Sequence, residues 1–130
     1  RHPHANAAQV CASGTWDLMA PQSPDMDRWL TWHYYTQGSE VFRGDLHFYS
    51  VDHDMRDSLK DIDTSRCPVV MMTGTYDYLT PPEASEKTAS QIPGGVYIEM
   101  EDIGHFPMSE NHALFRVYLK EALNQIMART

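Results

Sequence analysis

The sequence is poor in the residues that would place it in several common classes. Only 2 cysteines occur in 130 residues. Cys11 and Cys67 are far apart and form no CxxC or zinc pattern. A disulfide scaffold is excluded, and free thiols in a reducing, cytoplasmic setting are expected. Basic residues are few, 10 against 18 acidic ones, for a formal charge of −8. Such a chain repels phosphate, and its lysines and arginines do not cluster, so nucleic acid is not an expected partner. No apolar run approaches the roughly 18 residues that span a bilayer, so no membrane partner is expected. No signal peptide is visible, and internal repeats and low-complexity tracts are missing as well. The chain opens at Arg1 rather than Met, so an upstream piece is expected.

What is present is ordinary globular material, 42% apolar and 22% charged. The composition divides near residue 64. The first part is rich in aromatics, Met and His. Residues 5–19 suggest a helix broken at Ser13-Gly14. Ser23-Pro24-Asp25 is a helix start, with Ser23 as cap and Pro24 in the first position. Met26, Trp29, Leu30, His33, Tyr34 and Gln37 then recur at helical spacing up to Gly38. This predicts an amphipathic helix with an aromatic face turned inward. Val41–Val51 is compatible with a strand or with a helix beginning at Asp45. Leu59 and Ile62 are the inward anchors of the charge-rich stretch that follows.

The second part has a clearer pattern. Pro68–Thr73 is a short apolar run bounded by Pro68 and Gly74, suited to a strand buried on both faces. Thr80-Pro81-Pro82-Glu83 predicts a helix start with Thr80 as cap, and the helix runs to about Ile92. Val96–Met100 is a second strand. Ser109 is the expected cap of a last helix, whose inward stripe is Leu114, Phe115, Tyr118, Leu119, Ala122, Leu123 and Ile126. Strand, turn, helix, strand, turn, helix makes a βαβα unit of α/β class with parallel strands. In open parallel sheets the chemistry lies beyond the carboxyl ends of the strands. Each of those turns holds a titratable residue, Asp77 in the first and His105 in the second. If the strands are neighbours, the carboxylate can fix the imidazole tautomer and leave the other ring nitrogen free as a base.

Two stretches here, T-G-T-Y-D-Y-L-T-P-P-E and I-G-H-F-P-M-S-E-N, together and in order, resemble the C-terminal part of an α/β-hydrolase. The resemblance covers residues 66–127 well and residues 1–65 loosely. It implies a partial α/β-hydrolase fold: a helical cap segment over 1–43, then over 44–130 a short parallel sheet of two to three strands with its helices. It also implies that Asp77 is the acid and His105 the histidine of a triad, since that fold orders nucleophile, acid, histidine along the chain. The nucleophile itself should sit in G-x-S-x-G, and no such pattern occurs. Neither Ser13 nor any other serine fits, and Cys11 and Cys67 are not elbows. The oxyanion donors, which come from the same region, would be absent too.

The expectation is therefore a C-terminal fragment of a serine-type hydrolase, supplying acid and histidine, inactive alone. It should associate with itself or with a missing N-terminal half. The parent would act on a small-molecule ester, amide or similar acyl bond, with Trp29, Tyr34 and Phe106 against the substrate. No cofactor and no metal are expected: His2-Pro3-His4 and Asp52-His53-Asp54 match no zinc or calcium pattern. Asp45, Asp52, Asp54, Asp57, Asp61 and Asp63 read as a solvated face. The alternative is a noncatalytic α/β binding or interaction module.

Overall fold

The computed structural model describes residues 23–37, 44–45 and 47–129. The expected helix over 5–19, with Cys11, Ser13, Trp16 and the terminal histidines, lies outside the described residues. So do the side chains of Trp32, Tyr34 and Tyr35.

The chain is α/β. Helix α1 (Asp25–Gln37) is followed by a π-helical turn (Phe48–Asp52) and a 3-10 turn (Leu59–Asp61). Then come strand β1 (Val70–Gly74), helix α2 (Pro82–Gln91), strand β2 (Val96–Met100), helix α3 (Pro107–Glu110) and helix α4 (His112–Met127). In the ambiguous stretch Val41–Val51 the described residues, 44–45 and 47–51, are helical. The two strands pair in parallel, Val70 opposite Val96 and Gly74 opposite Met100. Helix α2 packs on both strands, α4 on β2, and α1 on α3. The βαβα order read from the apolar runs is the order observed.

The buried apolar residues are Ala89, Ile92, Ile98, Met100, Ile103 and Ala122. They gather where α2, the sheet and α4 meet, with Met100 and Ile103 sealed completely. Burial along β1 rises toward its carboxyl end. Val70, Met71 and Met72 are half-buried, whereas Thr73 and Gly74 are buried. The strand is therefore not closed on both faces as its composition suggests. Among the described residues β1 pairs with β2 alone.

The helix caps differ from the sequence expectation in each case. Ser23 is buried with its hydroxyl unpartnered among the described residues, and α1 begins after Pro24. Thr80 does not cap α2; Pro81 takes that place and Pro82 opens the helix. The Thr80 hydroxyl is spent on Asp77 instead. The segment after His105 makes its own short helix α3, so Asn111 rather than Ser109 caps α4, accepting from the Leu114 amide at 3.0 Å. Such a cap contributes about 1 kcal/mol.

The stripe expected to face inward on α1 is open where it is described, whereas that on α4 is mostly covered. Met26, Trp29 and Leu30 on α1 are exposed; on α4 Ala122 is buried, Leu114, Phe115, Tyr118 and Ile126 are half-buried, and Leu119 and Leu123 are exposed. On α1 the spacing sets a shared face, but the described residues leave Met26, Trp29 and Leu30 uncovered.

Candidate active site

The two functional turns are held together by backbone rather than by side-chain packing. At the end of β1 the chain reaches Gly74, and a Cβ built there would lie 2.2 Å from the Ile103 carbonyl oxygen. Only glycine allows the loop after β2 to come this close. The Thr75 amide then donates to the Met100 carbonyl (3.0 Å) and the Tyr76 amide to the Ile103 carbonyl (2.9 Å). The Thr75 hydroxyl accepts from the Asp102 amide at 3.0 Å. Asp102 itself adopts the left-handed conformation, φ 57°, which turns the chain back over the strand end. Aspartate tolerates that region better than most residues.

This lacing fixes the origins of Asp77 and His105. The Asp77 side chain is buried and receives four hydrogen bonds. Its Oδ1 accepts from the amides of Leu79 (3.0 Å) and Thr80 (2.9 Å). Its Oδ2 accepts from the Thr80 hydroxyl (2.6 Å) and meets His105 Nδ1 at 2.9 Å. Burial pushes the Asp77 carboxyl up, but the Thr80 hydroxyl and amide, together with His105, outweigh it. The net shift is below the ordinary carboxylate value. Asp77 is thus held as a carboxylate, with no lone-pair direction left undirected.

A depressed carboxyl value has a stability consequence with a definite sign. The contribution of Asp77 is complete above its unfolded value of about 3.9 and is lost as pH falls through the lower folded value. Urea midpoints of the wild type and Asp77→Asn are expected to differ most above about pH 5 and to converge as pH falls below about 3.9. A gap that stays constant from neutral pH to strong acid would show that the carboxylate contributes nothing.

His105 is one-quarter exposed at its side chain, with Nδ1 committed to Asp77. Its Nε2 has no hydrogen-bond partner among the described residues. Phe106 packs edge-on against the imidazole, ring centres 5.0 Å apart and planes at 88°. The pair can therefore act as an oriented base: the carboxylate holds the Nδ1–H tautomer and Nε2 is left to take a proton.

The backbone on either side of His105 is fixed by a residue given no role from the sequence. Glu110 is buried and accepts from the Gly104 amide at 2.6 Å and the Phe106 amide at 2.8 Å. The only sequence signal for it is its place in the I-G-H-F-P-M-S-E-N stretch. Thr80 was singled out for a cap, and its actual bond to Asp77 has no periodic signature.

Of the residues expected to meet substrate, Phe106 is half-buried beside the imidazole. Trp29 is 53% exposed on α1, the helix that packs on α3. The Tyr34 side chain lies outside the described residues. Tyr78, Leu79 and Met108 are also exposed within three residues of the pair.

Asp54 is clasped by Arg56 at 2.8 Å and 2.5 Å. Hydrogen bonds from the Arg56 side chain and amide bring its carboxyl down to about 2. Among the described residues no group of three histidine, cysteine or acidic side chains is placed to hold a metal. Asp45, Asp57, Asp61 and Asp63 are exposed, as a solvated face requires. Cys67 is a free, exposed thiol at the amino end of β1, opposite the functional turns. No helix among the described residues is long and apolar enough to cross a membrane. Compared with protein families, curated proteins and solved structures, the chain matches none.

Proposed function

We propose that Asp77 and His105 are the acid and base of a serine-type acyl hydrolase whose nucleophile is supplied by polypeptide outside these 130 residues. The observation that carries the reading is the 2.9 Å contact from His105 Nδ1 to Asp77 Oδ2. It is made at the carboxyl ends of two adjacent parallel strands. In the reaction, His105 Nε2 takes the proton of the attacking hydroxyl and later delivers it to the leaving group. Asp77 orients the ring and stabilises the imidazolium that forms. Phe106 beside the imidazole and the exposed Trp29 favour a substrate with an apolar or aromatic part. In the α/β-hydrolase arrangement that the motifs resemble, a further strand would cover the far side of β1. The half-buried Val70–Met72 and the edge of β1 that is unpaired among the described residues are consistent with that.

A fluorophosphonate probe tests the reading. The 130-residue chain alone is expected to take no label and to turn over no activated ester. The protein as its natural source makes it is expected to be labelled on one serine, and His105→Ala should abolish the labelling. A natural protein that takes no label would favour the noncatalytic binding module. Labelling within these 130 residues would place the nucleophile here and contradict the division.

A further inference from the structure

We infer that Glu110 is a positioning residue for His105, acting on the peptide units that flank it. This rests on the reading of His105 as the base. The Glu110 side chain is 3% exposed, and its two oxygens take the amides of Gly104 and Phe106, one residue before and one after the histidine. A carboxylate that bridges these two amides restrains the backbone torsions on both sides of the His105 Cα. Those torsions aim the imidazole at Asp77. The approach is close enough that a Cβ on Gly104 would stand 3.0 Å from both Glu110 oxygens. The short helix α3 completes the clamp, since the amides of Ser109 and Glu110 return to the Phe106 carbonyl at 2.9 Å. Burying a carboxylate is costly unless it is fully hydrogen-bonded. A neutral acceptor would satisfy two amides at lower cost. The ionised group makes shorter bonds, about twice as strong as neutral ones. That added stiffness matters where an imidazole must be held within about 0.5 Å of its productive position.

The test is read on the histidine and not on turnover. Long-range proton–nitrogen spectra of the full chain report the His105 tautomer, and amide exchange reports Gly104 and Phe106. Glu110→Gln keeps the size of the side chain and one acceptor, but turns its amide NH2 group toward one of the two N–H groups. The variant is expected to fold, to lose about tenfold or more of the protection at one or both amides, and to show a smaller or exchange-broadened His105 Nδ1–H signal. Gly104→Ala, which leaves the carboxylate in place but crowds it, is expected to perturb the same His105 signal. A Glu110→Gln chain with a lowered melting point and a His105 spectrum identical to wild type overturns the inference, because Glu110 would then only stabilise the loop. Loss of folding in Glu110→Gln also overturns it, by assigning the residue to the fold as a whole. A wild-type chain without the Nδ1–H signal counts instead against His105 as the oriented base, so the two failures are distinguishable.

Discussion

Gly74→Ala is expected to lower stability by about 3 kcal/mol and the melting temperature by on the order of 10 °C or more. The added methyl would meet the Ile103 carbonyl oxygen at 2.2 Å, its carbon at 2.5 Å and the Gly104 oxygen at 2.7 Å. All three are main-chain atoms, so no side-chain rotation relieves the overlap. The loop after β2 must withdraw, and with it goes the bond from the Tyr76 amide to Ile103. The withdrawal acts on the segment that carries His105, so the Asp77–His105 contact is expected to lengthen as stability falls. Gly44 is the control, because an added Cβ there meets nothing within 4 Å. In its helical setting alanine should be neutral or stabilising by up to about 1 kcal/mol. Thermal melts of the two variants decide the matter. An unchanged melting temperature for Gly74→Ala would mean that the two turns are not in close contact.

In the protein that supplies the nucleophile, His105→Ala is expected to reduce kcat by about 10⁶-fold and Asp77→Asn by about 10⁴-fold. The difference follows from their roles. Without His105 nothing accepts the proton of the attacking hydroxyl. Without the Asp77 charge the base is still present, but its tautomer and the stability of its protonated form are compromised. Asp77→Asn is a fair substitution here because the two backbone amides on Oδ1 and the Thr80 hydroxyl retain plausible partners. Steady-state rates on an activated ester give the ratio. Equal small losses for both variants would assign them to packing, and a larger loss for Asp77→Asn than for His105→Ala would reverse the assignment.

The parts of this site that could be read from the sequence are those governed by chain order. The run Val69–Thr73, closed by Pro68 and Gly74, and the run Val96–Met100 mark two strands. The helix between them makes those strands parallel. Asp77 and His105 then fall at equivalent places beyond the strand ends, and they do meet. What could not be read depends on competition between partners. A threonine two residues before a helix can cap it or turn back to an aspartate, and Thr80 does the second because Asp77 is already bent toward it. Ser109 gave way to Asn111 because α3 inserts a separate turn before α4. Glu110 lies in the I-G-H-F-P-M-S-E-N stretch, but a carboxylate serving two amides has no periodicity that would assign it that role. Met26, Trp29 and Leu30 share a face as their spacing requires, but spacing says nothing of what will lie opposite, and they are exposed.

The central claim is that Asp77 fixes the His105 ring with Nδ1 protonated and Nε2 free. Proton–nitrogen correlation spectra of the histidine side chains in the 130-residue chain measure this directly. The neutral His105 ring is expected as the Nδ1–H tautomer, with a slowly exchanging Nδ1 proton that disappears in Asp77→Asn. A neutral ring protonated on Nε2, or an Nδ1 proton indifferent to Asp77→Asn, would contradict the account.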